Sequence, residues 1–225
     1  MSNDGIFDAV IAGAKAAEES GFDRILPMDH FHQPPGIGDI DSEILECYTT
    51  LDHVSHGCAT LSGEHYDVTD AIHSPPPVSR IPLMIGGSGE KKTLRMVAQY
   101  ADESNLTCAV DEIPRKLDAL AAHCERLGRD RSEIAVTELM NVVIGNTHDE
   151  ALAAVEAYVE NHGWPAEVVE LMVGQVVLGE PGEVGEAIGN AIAAGLDGIT
   201  LDLVANAHDP EMVALAGRTA GAASG

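Results

Sequence analysis

The chain has 225 residues, of which 45% are hydrophobic, 37 are acidic and 12 are basic, giving a formal charge of −25. That balance excludes a nucleic-acid backbone or an anionic membrane as the natural partner, because both require a basic footprint. No apolar run reaches the roughly 18 residues of a membrane span, and the start Met1-Ser-Asn-Asp lacks the basic and apolar regions of a secretory leader, so a cytoplasmic protein is expected.

In chain order, Asp4 is a candidate cap for a helix that buries Phe7, Val10, Ile11, Ala14 and Ala17 and stops at Gly21. Arg24 to Met28 reads as a short buried strand that runs into Asp29-His30-Phe31-His32. In a parallel α/β fold the loop after a strand is where chemistry is placed, which singles out Asp29 and His30. Ser42 to Ser55 has helical spacing, Ala59 to Val68 reads as a small hairpin around Ser62-Gly63, and Ser74 to Pro77 is an extended connector.

Leu83 to Ile85 then reads as a strand that breaks at Gly86-Gly87-Ser88-Gly89-Glu90 and gives way to a helix with Leu94, Val97, Ala98 and Ala101 on one face. Glycines allow positive φ and close approach of an anion to the main chain, and the first helical turn offers unpaired N–H groups. Lys91, Lys92 and Arg95 follow within two turns. The stretch reads as a phosphate cradle or as an ordinary turn with a solvated basic face, and it matches neither the P-loop nor the Rossmann fingerprint. Nine of the 12 basic residues fall between Arg80 and Arg131, which suits a small anionic ligand better than a polymer.

Further along, a strand is expected near Ser104 to Thr107 and a helix over Asp111 to Leu127 with Leu117, Leu120, Ala121 and Cys124 inward. Ile134 to Ile144 is β-rich, Thr147 caps a helix to His162, Pro165 starts another, and Val176 to Leu178 is a strand fragment. Pro181 opens a helix ended by Gly195, Gly198 to Val204 is a strand, and a last helix starts at Asp209. Alternation of strand and helix implies a mostly parallel sheet with helices outside. Met84, Met96, Met140 and Met172 are spaced as core fillers, Trp164 as packing, and Cys47, Cys58, Cys108 and Cys124, with no CxxC spacing, as reduced thiols. Six of the ten histidines lie between His30 and His73, including His30-x-His32 and His53-x-x-His56, and leave a metal site open as a competing reading; no HExxH motif or cysteine pair supports it.

Four stretches resemble the luciferase-like flavin and deazaflavin oxidoreductases, in particular the branch that uses coenzyme F420: Ala16 to Asp23; Met28 to Phe31 with Glu46 to Leu51; Ile85 to Glu90 with Thr93 to Asp102; and Ala194 to Thr200. The resemblance implies a (β/α)8 TIM-type barrel with the cofactor, F420 or alternatively FMN, at the C-terminal ends of the strands. It implies that Gly86, Gly87, Ser88, Gly89 and Glu90 hold the cofactor phosphate, that His30 gives or takes the proton that accompanies hydride transfer, and that Asp29 orients it. The family also carries a strand before the first helix and two further strands after the Thr-Thr-Leu segment, which this chain lacks. The expectation is therefore a single domain, residues 1–225, forming an incomplete barrel without the first strand and the third and fourth strand region. A homodimer acting on a small organic molecule is expected, as oxidoreductase or monooxygenase; the alternative is a cofactor-binding or structural remnant without turnover.

Overall fold

The computed structural model describes residues 12–24, 58–62, 67–72 and 82–224. The chain divides into two compact units, residues 26–81 and residues 1–25 with 82–225. In the first, β1 (Cys58–Ser62) and β2 (Asp67–Ile72) pair antiparallel, Leu61 opposite Val68, as the hairpin expected there. Its second strand runs four residues beyond Val68, to Ile72.

The second unit opens with α1 (12–19), whose turn ends at Gly21 with φ 95°. It continues through β3 (Met84–Gly86), α2 (Thr93–Tyr100), β4 (Glu103–Leu106), α3 (Ile113–Leu127) and β5 (Ala135–Ile144). After α4 (His148–Asn161) and α5 (Glu167–Val173) come β6 (Val177–Gly179), α6 (Pro181–Ala193), β7 (Gly198–Asp202) and α7 (Pro210–Ser224). The five described strands of this unit are parallel, in the order β3, β4, β5, with β5 also pairing β7 along Thr137–Asn141 and β6 along Val142–Ile144. Among the described residues the sheet is open: a partial barrel, not a closed one. No described helix is long and apolar enough to cross a membrane.

Local chemistry accounts for the element ends. The Thr147 hydroxyl accepts the Glu150 N–H at 3.2 Å, and Asp149 and Glu150 stand at the positive end of α4. Pro181 occupies the first turn of α6, where Glu180 and Glu183 form a reciprocal capping box. The face of α2 expected from its spacing is the buried one: Leu94, Val97, Ala98 and Ala101 are all at most 1% exposed. Each large aliphatic buried this way contributes about 1.5–3 kcal/mol. They join Leu106, Leu120, Val136, Met140, Val142, Ile188 and Ala216 in one core between the sheet and its helices. Trp164 packs, as expected, with Tyr158 and His162, ring centroids 5.9 and 4.8 Å away.

Three expectations are corrected. The Asp111 helix begins with a 3-10 turn, Val110–Glu112, ahead of α3. Ala121 is exposed, because the buried stripe of α3 runs Ile113, Lys116, Leu120, Cys124 and Ala121 lies a further 100° round the helix. Met96 is 46% exposed, beside Arg95 on the outer face of α2 rather than in the core.

At the N-terminal ends of the strands two aspartates repeat one device. Asp102, just before β4, accepts the Leu83 N–H at 2.8 Å, and Asp197, just before β7, accepts the Val136 N–H at 2.8 Å. Each carboxylate pins the adjacent strand at its first residues and so fixes the sheet register. Charge-assisted bonds of this kind contribute about 1.5–3 kcal/mol.

Candidate functional site

The two faces of the sheet differ in chemistry. One, carrying Ile85, Leu106, Val136, Met140, Ile199 and Leu201, packs on the helices. The register puts Asn105, Thr137, Thr200, Asn141 and Asp202 on the other. There the Asn105 amide donates to Thr137 Oγ1 at 2.7 Å and Thr200 Oγ1 at 2.9 Å, tying β4, β5 and β7 together through side chains. Glu103, on this face as well, is buried and accepts from Arg24. Burial raises the Asp202 carboxyl above its ordinary range, and raises the Tyr158 hydroxyl too, with the nearby Asp202 charge adding to the effect.

The glycine turn sits at the C-terminal end of β3. Gly86 is the last strand residue, paired with Asn105. Gly87 has φ 111°, a conformation that a side chain disfavours, and its N–H donates to the Asn105 carbonyl at 2.8 Å. That bond completes the sheet and removes the Gly87 N–H from any ligand. The chain then makes a wide turn, closed by the Leu94 N–H on the Gly89 carbonyl at 3.0 Å, before α2 begins. Among the described residues the N–H groups of Ser88, Gly89 and Glu90 donate to no protein acceptor. A Cβ on Gly89 would meet Thr93 Oγ1 at 2.8 Å, so any larger residue there has to displace Thr93.

The side chains of the turn point away from those open donors. Ser88 Oγ accepts the Thr107 N–H at 2.8 Å and so fastens the turn to the end of β4. Burial pushes the neighbouring Cys108 thiol up, against the smaller opposing effect of its contact with Ser88. The Glu90 carboxylate takes Lys116 Nζ at 2.9 Å and Arg115 at 3.3 Å, and the bond from Lys116 holds it below the ordinary carboxylate range. His123 Nε2 meets the Glu90 carbonyl oxygen at 2.7 Å. Glu90 is thus clamped to α3 by both its side chain and its main chain, and what it has left to offer a ligand is its N–H.

Of the residues singled out from sequence, Gly86, Gly87, Ser88, Gly89 and Glu90 are brought together in this one turn. His30 and Asp29 lie outside the described residues, as do the six histidines between His30 and His73. Among the described residues no three His, Cys, Asp or Glu side chains form a metal-holding group. Sequence reading missed Lys116, His123 and the Asn105 bridge. Their partners lie 26, 33 and up to 95 residues away along the chain, beyond any local pattern.

The residues fit a phosphate-bearing cofactor on one observation: among the described residues three adjacent main-chain donors have no acceptor, where a Cβ at Gly89 would collide with Thr93.

A family model described as luciferase-like monooxygenase matches residues 45–198. No curated protein matches the chain in sequence. Among solved structures, the coenzyme F420 dependent tetrahydromethanopterin reductase of Methanopyrus kandleri superposes with a TM-score of 0.54 at 16% identity, over 72% of this chain and 57% of that one. An F420-dependent secondary alcohol dehydrogenase in complex with an F420-acetone adduct gives 0.51 at 14% identity, over 92% and 74%. The oxygenating constituent of 3,6-diketocamphane monooxygenase from Pseudomonas putida, in complex with FMN, gives 0.53 at 16% identity, over 74% and 58%. Identities this low establish a shared fold. The chain spans little more than half the length of the first and third of these enzymes.

Proposed function

The chain belongs to the luciferase-like monooxygenase family, and on that premise we propose that it is an oxidoreductase using a deazaflavin, coenzyme F420, or alternatively FMN, with a small organic substrate. The observation that carries the proposal is the glycine turn at the C-terminal end of β3, with its open donors at Ser88, Gly89 and Glu90. A bound deazaflavin or flavin would supply the hydride chemistry; the protein supplies position and electrostatics. In this reading the turn holds the cofactor phosphate through main-chain N–H groups, aided by the dipole of α2. Ser88 and Glu90 contribute through the bonds that fix the turn to Thr107 and Lys116. His30 gives or takes the proton at the substrate oxygen, and Asp29 orients its ring. A cytoplasmic homodimer completes the proposal.

Fluorescence titration of the protein with F420 and, separately, with FMN tests it, beside a Gly87→Asp variant. Saturable binding of one cofactor by the wild type and its loss in the variant is the expected result. A folded wild-type protein that binds neither cofactor overturns the reading. Binding followed by no reduction or oxidation across a screen of alcohols, aldehydes and ketones marks cofactor binding without turnover. His30→Ala separates the steps further: cofactor affinity is expected to persist while turnover falls by about 100-fold or more, the scale of a lost general acid or base.

A further inference from the structure

We propose that the groove between α2 and α3, on the outer side of the glycine turn, binds a small multivalent oxyanion, a polyphosphate or a polycarboxylate. Lys91 and Arg95, with Glu90 beside them, form one wall; His123, Arg126 and Leu127 line the other. The cavity is ≈ 460 Å³, toward the small end of ligand pockets, and suits a ligand of a few heavy groups.

The argument rests on how the basic residues are distributed. Among the described residues Lys15, Lys92 and Arg218 stand without a carboxylate partner, but the groove gathers three further such cations around one cavity. Along α3 and its flanks the other cations are accounted for: Arg115 with Glu112, Lys116 with Glu90, Arg129 with Glu133, and Arg131 on the Ile134 carbonyl. The three around the groove differ. Among the described residues Lys91, Arg95 and Arg126 have no carboxylate within salt-bridge distance. Glu90, which also lines the groove, bonds Lys116 and Arg115 and reaches Lys91 only through space.

The groove is also held in shape. Arg126 donates through Nε to the Ala122 carbonyl at 2.9 Å and places Nη2 3.3 Å from His123 Nδ1. A guanidinium is always a donor, so Nδ1 accepts and Nε2 carries the proton given to the Glu90 carbonyl at 2.7 Å. This chain of bonds holds a forked cation in the lining of the groove, which Arg95 also lines, and uses only part of its donors. Two guanidinium forks and an ammonium around a small groove match a ligand with two or more anionic groups, since each fork can take an oxyanion bidentately. The groove shares Glu90 with the glycine turn, but its cations lie beyond the turn, and the proposal does not rest on the cofactor reading.

Isothermal titration of the full chain with pyrophosphate and, separately, with citrate tests the groove. The variants are Arg95→Gln, Arg95→Glu/Arg126→Glu, Lys92→Glu as an exposed control outside the groove, and Gly87→Asp. Saturable one-to-one binding is expected in the wild type, Lys92→Glu and Gly87→Asp, with affinity at least 10-fold lower in both groove variants and falling with added salt. A preference for pyrophosphate marks a phosphorylated ligand, and one for citrate a polycarboxylate; either supports the site. Absence of saturable binding of both anions to the wild type overturns it, as does an equal loss in Lys92→Glu. If only Gly87→Asp loses binding, the anion sits on the glycine turn; the groove is then excluded and the cofactor reading stands. Failure of the cofactor titration with pyrophosphate binding intact overturns the cofactor reading alone.

Discussion

The two ends of the parallel sheet treat their main-chain donors in opposite ways. At the N-terminal end, carboxylates reach across to meet them, Asp102 on the Leu83 N–H and Asp197 on the Val136 N–H. At the C-terminal end of β3, the donors of Ser88, Gly89 and Glu90 meet no acceptor among the described residues, although the side chains of Ser88 and Glu90 are engaged elsewhere. Acceptors are plentiful in a chain with 37 acidic residues, so scarcity does not explain the difference. One end is closed for stability, and under the proposed function the other is kept for a ligand, the division that barrel folds make between their two faces.

From that division the largest expected effect is that of Gly87→Asp, which puts both a side chain at φ 111° and a negative charge beside these donors. Cofactor affinity is expected to fall by about 100-fold or more, roughly 2.7 kcal/mol, with far-UV circular dichroism unchanged. Asp197→Ala is the mirror experiment. It is expected to lower unfolding free energy in urea by about 2 kcal/mol and to leave cofactor affinity as it was; a variant that binds less tightly but unfolds normally would break the comparison.

A smaller effect sharpens it. Gly89→Ala is expected to weaken the cofactor about 10-fold, about 1.4 kcal/mol, because the new methyl group displaces Thr93, whose Oγ1 lies 2.8 Å from that point. Gly89→Ala/Thr93→Ala then restores most of the affinity. Without rescue, the glycine is needed for some reason other than closeness.

The smallest effect lies between the two ends. Glu138, in β5, is 5% exposed and its Oε2 has no hydrogen-bond partner among the described residues. Burial raises its carboxyl above the ordinary range, so the folded chain keeps the proton to higher pH than the unfolded chain does. The stability contributed by this group is full below the unfolded value, about 4.3, and is lost as pH rises through the folded one. Glu138→Gln is expected to be more stable than wild type by about 1 kcal/mol at pH 7.5 and indistinguishable from it near pH 4. Equal stabilities at both pH values in urea titrations would sink that account.

What the sequence made legible was what a short window determines. The spacing of Leu94, Val97, Ala98 and Ala101 marked the buried face of α2, and the Gly-Gly-Ser-Gly run marked a turn that needs positive φ. Thr147 and Pro181 marked helix starts. What stayed hidden depends on register between distant strands or on helix phase. Glu90 reads from sequence as part of the ligand cradle, yet its carboxylate answers to Lys116, 26 residues on, a lysine that occupies a buried position on a helix where Ala121 was expected to face inward. Asp102 and Asp197 stood within the stretches that resemble the family, but their task is visible only once β3 lies beside β4 and β7 beside β5. The Gly87 N–H shows the same limit: its glycine belongs to the turn, and its donor belongs to the sheet.

The pairing of β5 on both edges carries a consequence for the making of the protein. Its contact with β4 spans 32 residues, as from Asn105 to Thr137, whereas the pin from Asp197 to Val136 spans 61. Closing the longer loop costs only about 0.6 kcal/mol more, so the energetic handicap is small. The delay is one of supply: a ribosome adding about 5–20 residues per second needs about 3–12 s to deliver the 61 residues that separate β7 from its place on β5. For those seconds the central strand of the nascent chain stands half-paired, with one side open to any neighbouring strand that arrives first.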